Sequence, residues 1–319
     1  MSFSGMPFDD VRALLEQIEM PDDSAAASMA QAFERTGYTG EALGRLKALG
    51  VWLSRTRHRA PPLIGKSGVA LYAATHGFTL DTGEPLSAQR ARVDAVAAGA
   101  AAVSHLCVAN DLSLNVFDLA LDLPSQDIRN AASLDERSCA ATIAFGMEAT
   151  AEGLDLLCVG ALGEQARVAA TTLLLALLKS ELDQAADKDV VADALSFHAG
   201  HLADPLEALR RLGGRDIAAL TGAILAARAQ GIPIILDGLP ALAAAAVLHR
   251  LTPDAVSHCL LAGVGSPLER LAADRLGLSP LLDLAFSGEE GCAGAVAAGV
   301  VKSAAALAGG VAEVAMRAG

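Results

Sequence analysis

Apolar positions along the chain fall into two registers. Six short runs are apolar almost without interruption: "VALYAAT" (69–75), "LNVFDLAL" (114–121), "LDLLCVGA" (154–161), "IPIILDG" (232–238), "SHCLLAG" (257–263) and "SPLLDLA" (279–285). Unbroken apolarity, without strict alternation, is expected of parallel strands covered on both faces. Ala/Leu-rich stretches long enough for crossover helices separate most of them. The clearest is "GGRDIAALTGAILAARAQG", with Ile217, Leu220, Ile224 and Leu225 on one face and Gly231 at its C-terminal end. The alternation predicts an α/β fold, a doubly wound and mostly parallel six-stranded sheet.

The first ~65 residues read differently, as amphipathic helices such as "FDDVRALLEQI" and "DSAAASMAQAFERT". Residues 1–65, joined by a C-terminal helix over 294–319, are expected to form a small helical domain beside a large α/β domain spanning 66–293.

Composition narrows the function classes. With 53% hydrophobic residues and 3% aromatics, the core must be built from Ala, Leu, Val and Ile. A net charge of −13 and the lack of a Lys/Arg-rich cluster argue against a nucleic-acid partner. The five cysteines are scattered and never form a CxxC pair, which points to a reducing compartment and no thiolate metal site. "MSFSGMPFDD" lacks an apolar signal core, and no uncharged apolar run reaches the ~18 residues that span a bilayer. A cytoplasmic protein without membrane attachment is expected.

In parallel-sheet folds ligands bind beyond the carboxyl ends of the strands. That rule selects Thr75-His76-Gly77, the loop after Leu121, the "GALGEQAR" turn, Asp237-Gly238 and "SGEEG" (287–291). His76 is a ligand group or a hydrogen-bonded loop histidine. The turn before "VAATTLLLALL" offers helix N-terminal amides to an anion, although it matches neither GxGxxG nor a Walker A sequence. Asp237 either caps the next helix or meets substrate. His198 and His201 lie three apart with no third ligand nearby, so no metal is expected. Glu289 and Glu290 are adjacent carboxylates between glycines. One of them can serve as a general base, or the pair can favour the positive end of the C-terminal helix.

The order of motifs resembles the nicotinate-nucleotide–dimethylbenzimidazole phosphoribosyltransferases. The matching stretches are "LGRLKALG", "AATHG", "AAGAAAV", "DLLCVGALG", "PLEALRRLGGRDIAALTGAILAARAQGIPIILDG", "LGLSPLLDL" and "EGCAGA", in the family's order over almost the whole chain. The resemblance implies a homodimer and no cofactor. It also implies transfer of 5-phosphoribose from nicotinate mononucleotide to 5,6-dimethylbenzimidazole or a related base, giving α-ribazole phosphate for the cobalamin lower ligand.

It places the catalytic base at Glu290. The substrate-binding positions it implies are Thr75, His76, Gly160, Leu162, Gly163, Arg167, Asp237, Gly288, Glu289 and Gly291, and the family's benzimidazole-side glutamine falls near Leu86. The phosphate turn reads "GALGEQARV" where the family carries "GEMGIGNTT", and the family's "GRGTG" segment has no counterpart. These departures keep a second expectation open: a non-catalytic paralogue that binds a nucleotide or base, or that forms a heterodimer with a related, active subunit. In the enzyme reading, Arg167 takes over contacts to phosphate.

Overall fold

The computed structural model describes residues 6–38, 40–78, 86–180, 187–286 and 291–317. Three N-terminal helices, α1 (Asp9–Glu16), α2 (Asp23–Arg35) and α3 (Arg45–Thr56), precede β1 (Ser67–Ala73). Next come α4 (Leu86–Ala97), α5 (Ala102–Asn110), β2 (Ser113–Asp118), α6 (Glu136–Gly146) and β3 (Leu156–Leu162). Helices α7 (Glu164–Leu178), α8 (Lys188–His198), α9 (Pro205–Leu212) and α10 (Arg215–Ala229) lead to β4 (Ile234–Leu236). The chain closes with α11 (Gly238–Leu251), β5 (Cys259–Leu261), α12 (Pro267–Leu276) and α13 (Cys292–Arg317).

The strands lie in the order β2-β1-β3-β4-β5, every neighbouring pair parallel. The named strands therefore number five, not the six expected. The run "SPLLDLA" makes one parallel bridge, Pro280 to Leu261, with Leu281 and Leu282 donating to the Leu261 and Ala262 carbonyls at 2.9 Å, and is not itself a strand. Proline has no N–H to donate, and three-residue β5 offers little length to pair with.

Odd and even positions of the central strands feed two cores, one per face. Tyr72, Leu157, Val159, Ile234 and Leu236 pack with α6, α7, α10 and α11. Val69, Leu71, Leu156, Cys158 and Ile235 pack with α3, α4, α5 and α13. Burial on both faces is what made these runs continuous in sequence. β2 departs from the pattern, alternating exposed and half-buried residues as an edge strand.

α1 sends Phe8, Val11 and Leu15 into the first core and pairs Arg12 with Asp204. α2, α3 and the far half of α13 share a separate small cluster of Met29, Phe33, Ala308 and Val311. The segment 86–110 and α13 are each long and apolar enough to cross a bilayer by length and composition. The first is broken between α4 and α5, and α13 lays an alanine- and glycine-rich face on the sheet, with Ala295, Ala298, Val301 and Ala304 fully buried.

Candidate active site

The strand order reverses between β1 and β3, so a crevice opens beyond their carboxyl ends. Its β1 side is the Thr75-His76 corner. Thr75 is buried and its hydroxyl donates to the Leu121 carbonyl at 2.8 Å. His76 has a fully buried side chain, with Nε2 3.0 Å from Asp216 Oδ2 at the start of α10. An ionised carboxylate can only accept, so this contact places the proton on Nε2. Asp216 also accepts from the Ile217 amide at 2.8 Å. The pair locks the end of β1 to the first turn of α10.

The β3 side is a turn from Leu162 through Gly163 into α7. Gly163 has φ +108° and ψ +151°, a region that a side chain would strain. A Cβ there would also meet the Gln89 amide at 2.5 Å. Gln89, from α4, is buried and donates Nε2 to the Leu162 carbonyl at 2.6 Å. Gln165, in the first turn of α7, accepts from the His76 amide at 3.3 Å and donates to the Phe78 carbonyl at 2.9 Å. Two amide side chains thus tie the β1 and β3 corners together. Arg167 follows on the same helix, partly exposed and 3.7 Å from Glu269, which is buried in a capping box with Ser266 at the start of α12.

The third element is the junction of β4 with the start of α13. Asp237 is buried, and its amide donates to the Val159 carbonyl of β3 at 3.0 Å. It stands at the N-cap of α11 without bonding that helix through its side chain. Its Oδ2 instead accepts from the Gly294 amide of α13 at 2.6 Å. Burial pushes its carboxyl up to about 6, against hydrogen bonds from Gly294 and Gly291, with the charge of Glu269 adding to the rise.

Gly160 lies inside β3, where a Cβ would approach the Asp237 carbonyl and the Gly291 amide at 3.3 and 3.5 Å. It underlies the α13 corner, away from the turn that carries Gly163. Gly291 has φ +92°, and a Cβ on it would meet Leu71 at 2.9 Å and Val103 at 3.0 Å. Gly288, Glu289 and Glu290 lie outside the described residues.

The chain resembles known proteins along most of its length. The sequence model of a phosphoribosyltransferase family matches residues 18–317. The chain belongs to that family. Among relatives, the nicotinate-nucleotide–dimethylbenzimidazole phosphoribosyltransferase of Agrobacterium fabrum is 44% identical, over 98% of this chain and 95% of its own length. The protein of that name from Rhizobium meliloti is 45% identical, over 98% and 97%. A crystal structure of such a phosphoribosyltransferase from Thermus thermophilus superposes with a TM-score of 0.81 at 26% identity, covering 89% of this chain and 96% of that one.

Two buried residues at the crevice, Gln89 and Asp216, were not singled out by sequence reasoning. Leu86 is 41% exposed at the start of α4, and Gln89, one turn later on the same helix, is buried. Gln89 sits among charged neighbours in "SAQRAR" and leaves no local signature, and Asp216 reads as an ordinary first-turn acid. His198 is a core histidine, with Nε2 bonded to the carbonyls of Ile128 and Ala131 at 2.9 and 3.1 Å. No group of three or more His, Cys, Asp or Glu among the described residues could hold a metal.

Proposed function

We propose that this chain transfers 5-phosphoribose from nicotinate mononucleotide to 5,6-dimethylbenzimidazole or a closely related base. The observation that carries the reading is near-complete alignment, at 44–45% identity, with proteins named for that reaction. The azole nitrogen attacks C1′ as the bond from C1′ to nicotinate breaks. Nicotinate leaves, the anomeric carbon inverts, and the azole proton passes to a base. Glu290 takes that role, at the position where the family resemblance places the base, because a carboxylate can accept such a proton.

The β3–α7 turn is the phosphate end of the site, where Gly163, the first amides of α7 and Arg167 face the anion. The Thr75-His76 corner, with Leu162 and Gln89, lines the crevice on the β1 side, and Asp237 with Gly291 closes it. Catalysis takes place in the cytoplasm, in a homodimer, whose mass light scattering would report as twice that of the chain.

The non-catalytic alternative rests on the changed 160–168 turn and the missing "GRGTG" segment. The reading is tested by incubating the pure protein with nicotinate mononucleotide and 5,6-dimethylbenzimidazole and resolving the products by chromatography. α-Ribazole phosphate that disappears in Glu290→Gln supports it. No product from the wild-type chain overturns it.

A further inference from the structure

Helices α7, α11 and α12 each start beyond the carboxyl end of a strand, and their C-terminal ends gather at the far end of the sheet from the crevice. Two cavities open there. His249, in the last turn of α11, lines both, and Ser257 and Cys259, at the amino end of β5, line one of them.

The first cavity, of about 390 Å³, is bounded by Lys179 at the C-terminal end of α7, His249 and Arg250 of α11, and Arg275 in the last turn of α12. Cations are common at helix C-termini, where each helix contributes roughly half a negative charge. Here three permanent cations exceed what three such ends can balance. Among the described residues no carboxylate pairs with Lys179, Arg250 or Arg275, and Asp274, next to Arg275 in sequence, lines neither cavity. Burial, and then the charge of Arg250, hold the His249 ring below its ordinary pKa, so it hydrogen-bonds without adding charge. On a chain of net charge −13 this is a locally positive place, suited to an anion.

The second cavity, of about 320 Å³, has a different lining: Trp52, Val256, Leu260 and Leu278, with Ser257 and Ser279. The Trp52 indole N–H donates to the Ser257 carbonyl at 3.1 Å, so the ring has only its apolar surface to offer a ligand. Arg45 fixes the rim, donating to the carbonyls of Pro280 at 2.6 Å and Ser279 at 3.3 Å. Small-molecule sites are usually spaces of about 300–1,000 Å³ with an apolar lining and a few polar groups.

We propose that the two cavities form one site for a nucleoside monophosphate, with the base beside Trp52 and the phosphate among Lys179, Arg250 and Arg275. His249 stands between them. Inorganic phosphate would use only the first cavity and an uncharged nucleoside only the second, so the pair selects an aromatic phosphate ester. The site is separate from the crevice and does not depend on the reaction assigned there.

Trp52 is the only tryptophan in the chain, so its fluorescence reports on this site. Adenosine 5′-monophosphate is titrated into the full-length protein, with inorganic phosphate and adenosine in parallel, and each affinity is checked by calorimetry. The nucleotide is expected to change Trp52 emission saturably. It should bind at least about tenfold more tightly than inorganic phosphate, a gain within reach of one base stacked on an aromatic ring, and about tenfold more tightly than adenosine. Arg250→Ala and Arg275→Ala should each weaken it about tenfold, the loss of one charge-assisted contact, and Arg167→Ala, on the crevice, should leave it unchanged. Both α11 and α12 arginines are exposed, so these variants should unfold at the wild-type temperature.

No saturable response to the nucleotide overturns the proposal. An affinity no better than that of inorganic phosphate, or of adenosine, overturns the shared site. So does nucleotide binding that is unchanged in both Arg250→Ala and Arg275→Ala, and a loss confined to Arg167→Ala would place the nucleotide in the crevice instead. None of these outcomes bears on phosphoribosyl transfer, which product chromatography tests by itself.

Discussion

The two flanks of the crevice are built on different principles. The β3–α7 flank is held by long side chains: Gln89 reaches Leu162, Gln165 bridges His76 and Phe78, and Arg167 faces Glu269. The β4–α13 flank is held by backbone, with the Gly294 amide of α13 on one short buried carboxylate and glycines at the contacts. A long side chain can be exchanged for another that reaches the same point, but a backbone donor pressed on a strand has no substitute.

Breaking the second flank at its chemistry gives the largest expected effect. Glu290→Gln should lower kcat by about 10²- to 10⁴-fold, the range for losing a general base, in steady-state assays of α-ribazole phosphate. A matched pair of alanines then compares the flanks by stability. Gly163→Ala and Gly291→Ala both place a side chain at positive φ, at a cost of about 1–3 kcal/mol each. At Gly163 the new Cβ meets the end of Gln89, which can move. At Gly291 it meets Leu71 and Val103 in the core, adding about 1–3 kcal/mol of overpacking. Denaturant unfolding should therefore show the larger loss for Gly291→Ala, and equal losses would erase the distinction drawn above.

On the first flank, Arg167→Ala should raise KM for nicotinate mononucleotide about tenfold and leave KM for the base unchanged, the loss expected of one charge-assisted contact to phosphate. The smallest effect concerns pH. Burial raises the Asp237 carboxyl from its ordinary 3.8 to about 6, so between those values the native chain holds a proton that the unfolded chain has released. The wild-type protein thus loses this contribution to stability as pH rises from about 4 to 6. Asp237→Asn cannot titrate, so its Tm relative to wild type should climb over that window in thermal unfolding scans. A difference that stays flat would show that this group does not titrate there.

The sheet was legible because strands covered on both faces leave unbroken apolar runs, and five of the six runs became strands. The sixth failed at Pro280, where one bridge replaces a ladder. β2 misled in the other direction, since an apolar run can also lie at an exposed edge. Helix α1 looked like part of an N-terminal unit, yet Phe8, Val11 and Leu15 belong to the main core, because amphipathicity names a buried face without naming its partner.

The strand-end rule found the Thr75-His76 corner, the Gly163 turn and Asp237. It could not find what joins them. Gln89 and Asp216 act across 73 and 140 residues of chain, and their local sequence gives no sign of those partners. Asp237 was legible as a cap, but not the identity of the helix it caps.

Helix α13 has one further consequence, in time. It is made after the whole sheet, yet it supplies Ala308 and Val311 to a cluster that also holds Met29 and Phe33, made long before it. Until its first turn emerges, the Asp237 carboxylate has none of its α13 donors. The cluster around Met29 and Phe33 and the β4 corner therefore wait on the same 26-residue helix, and a chain cut before it leaves both unfinished.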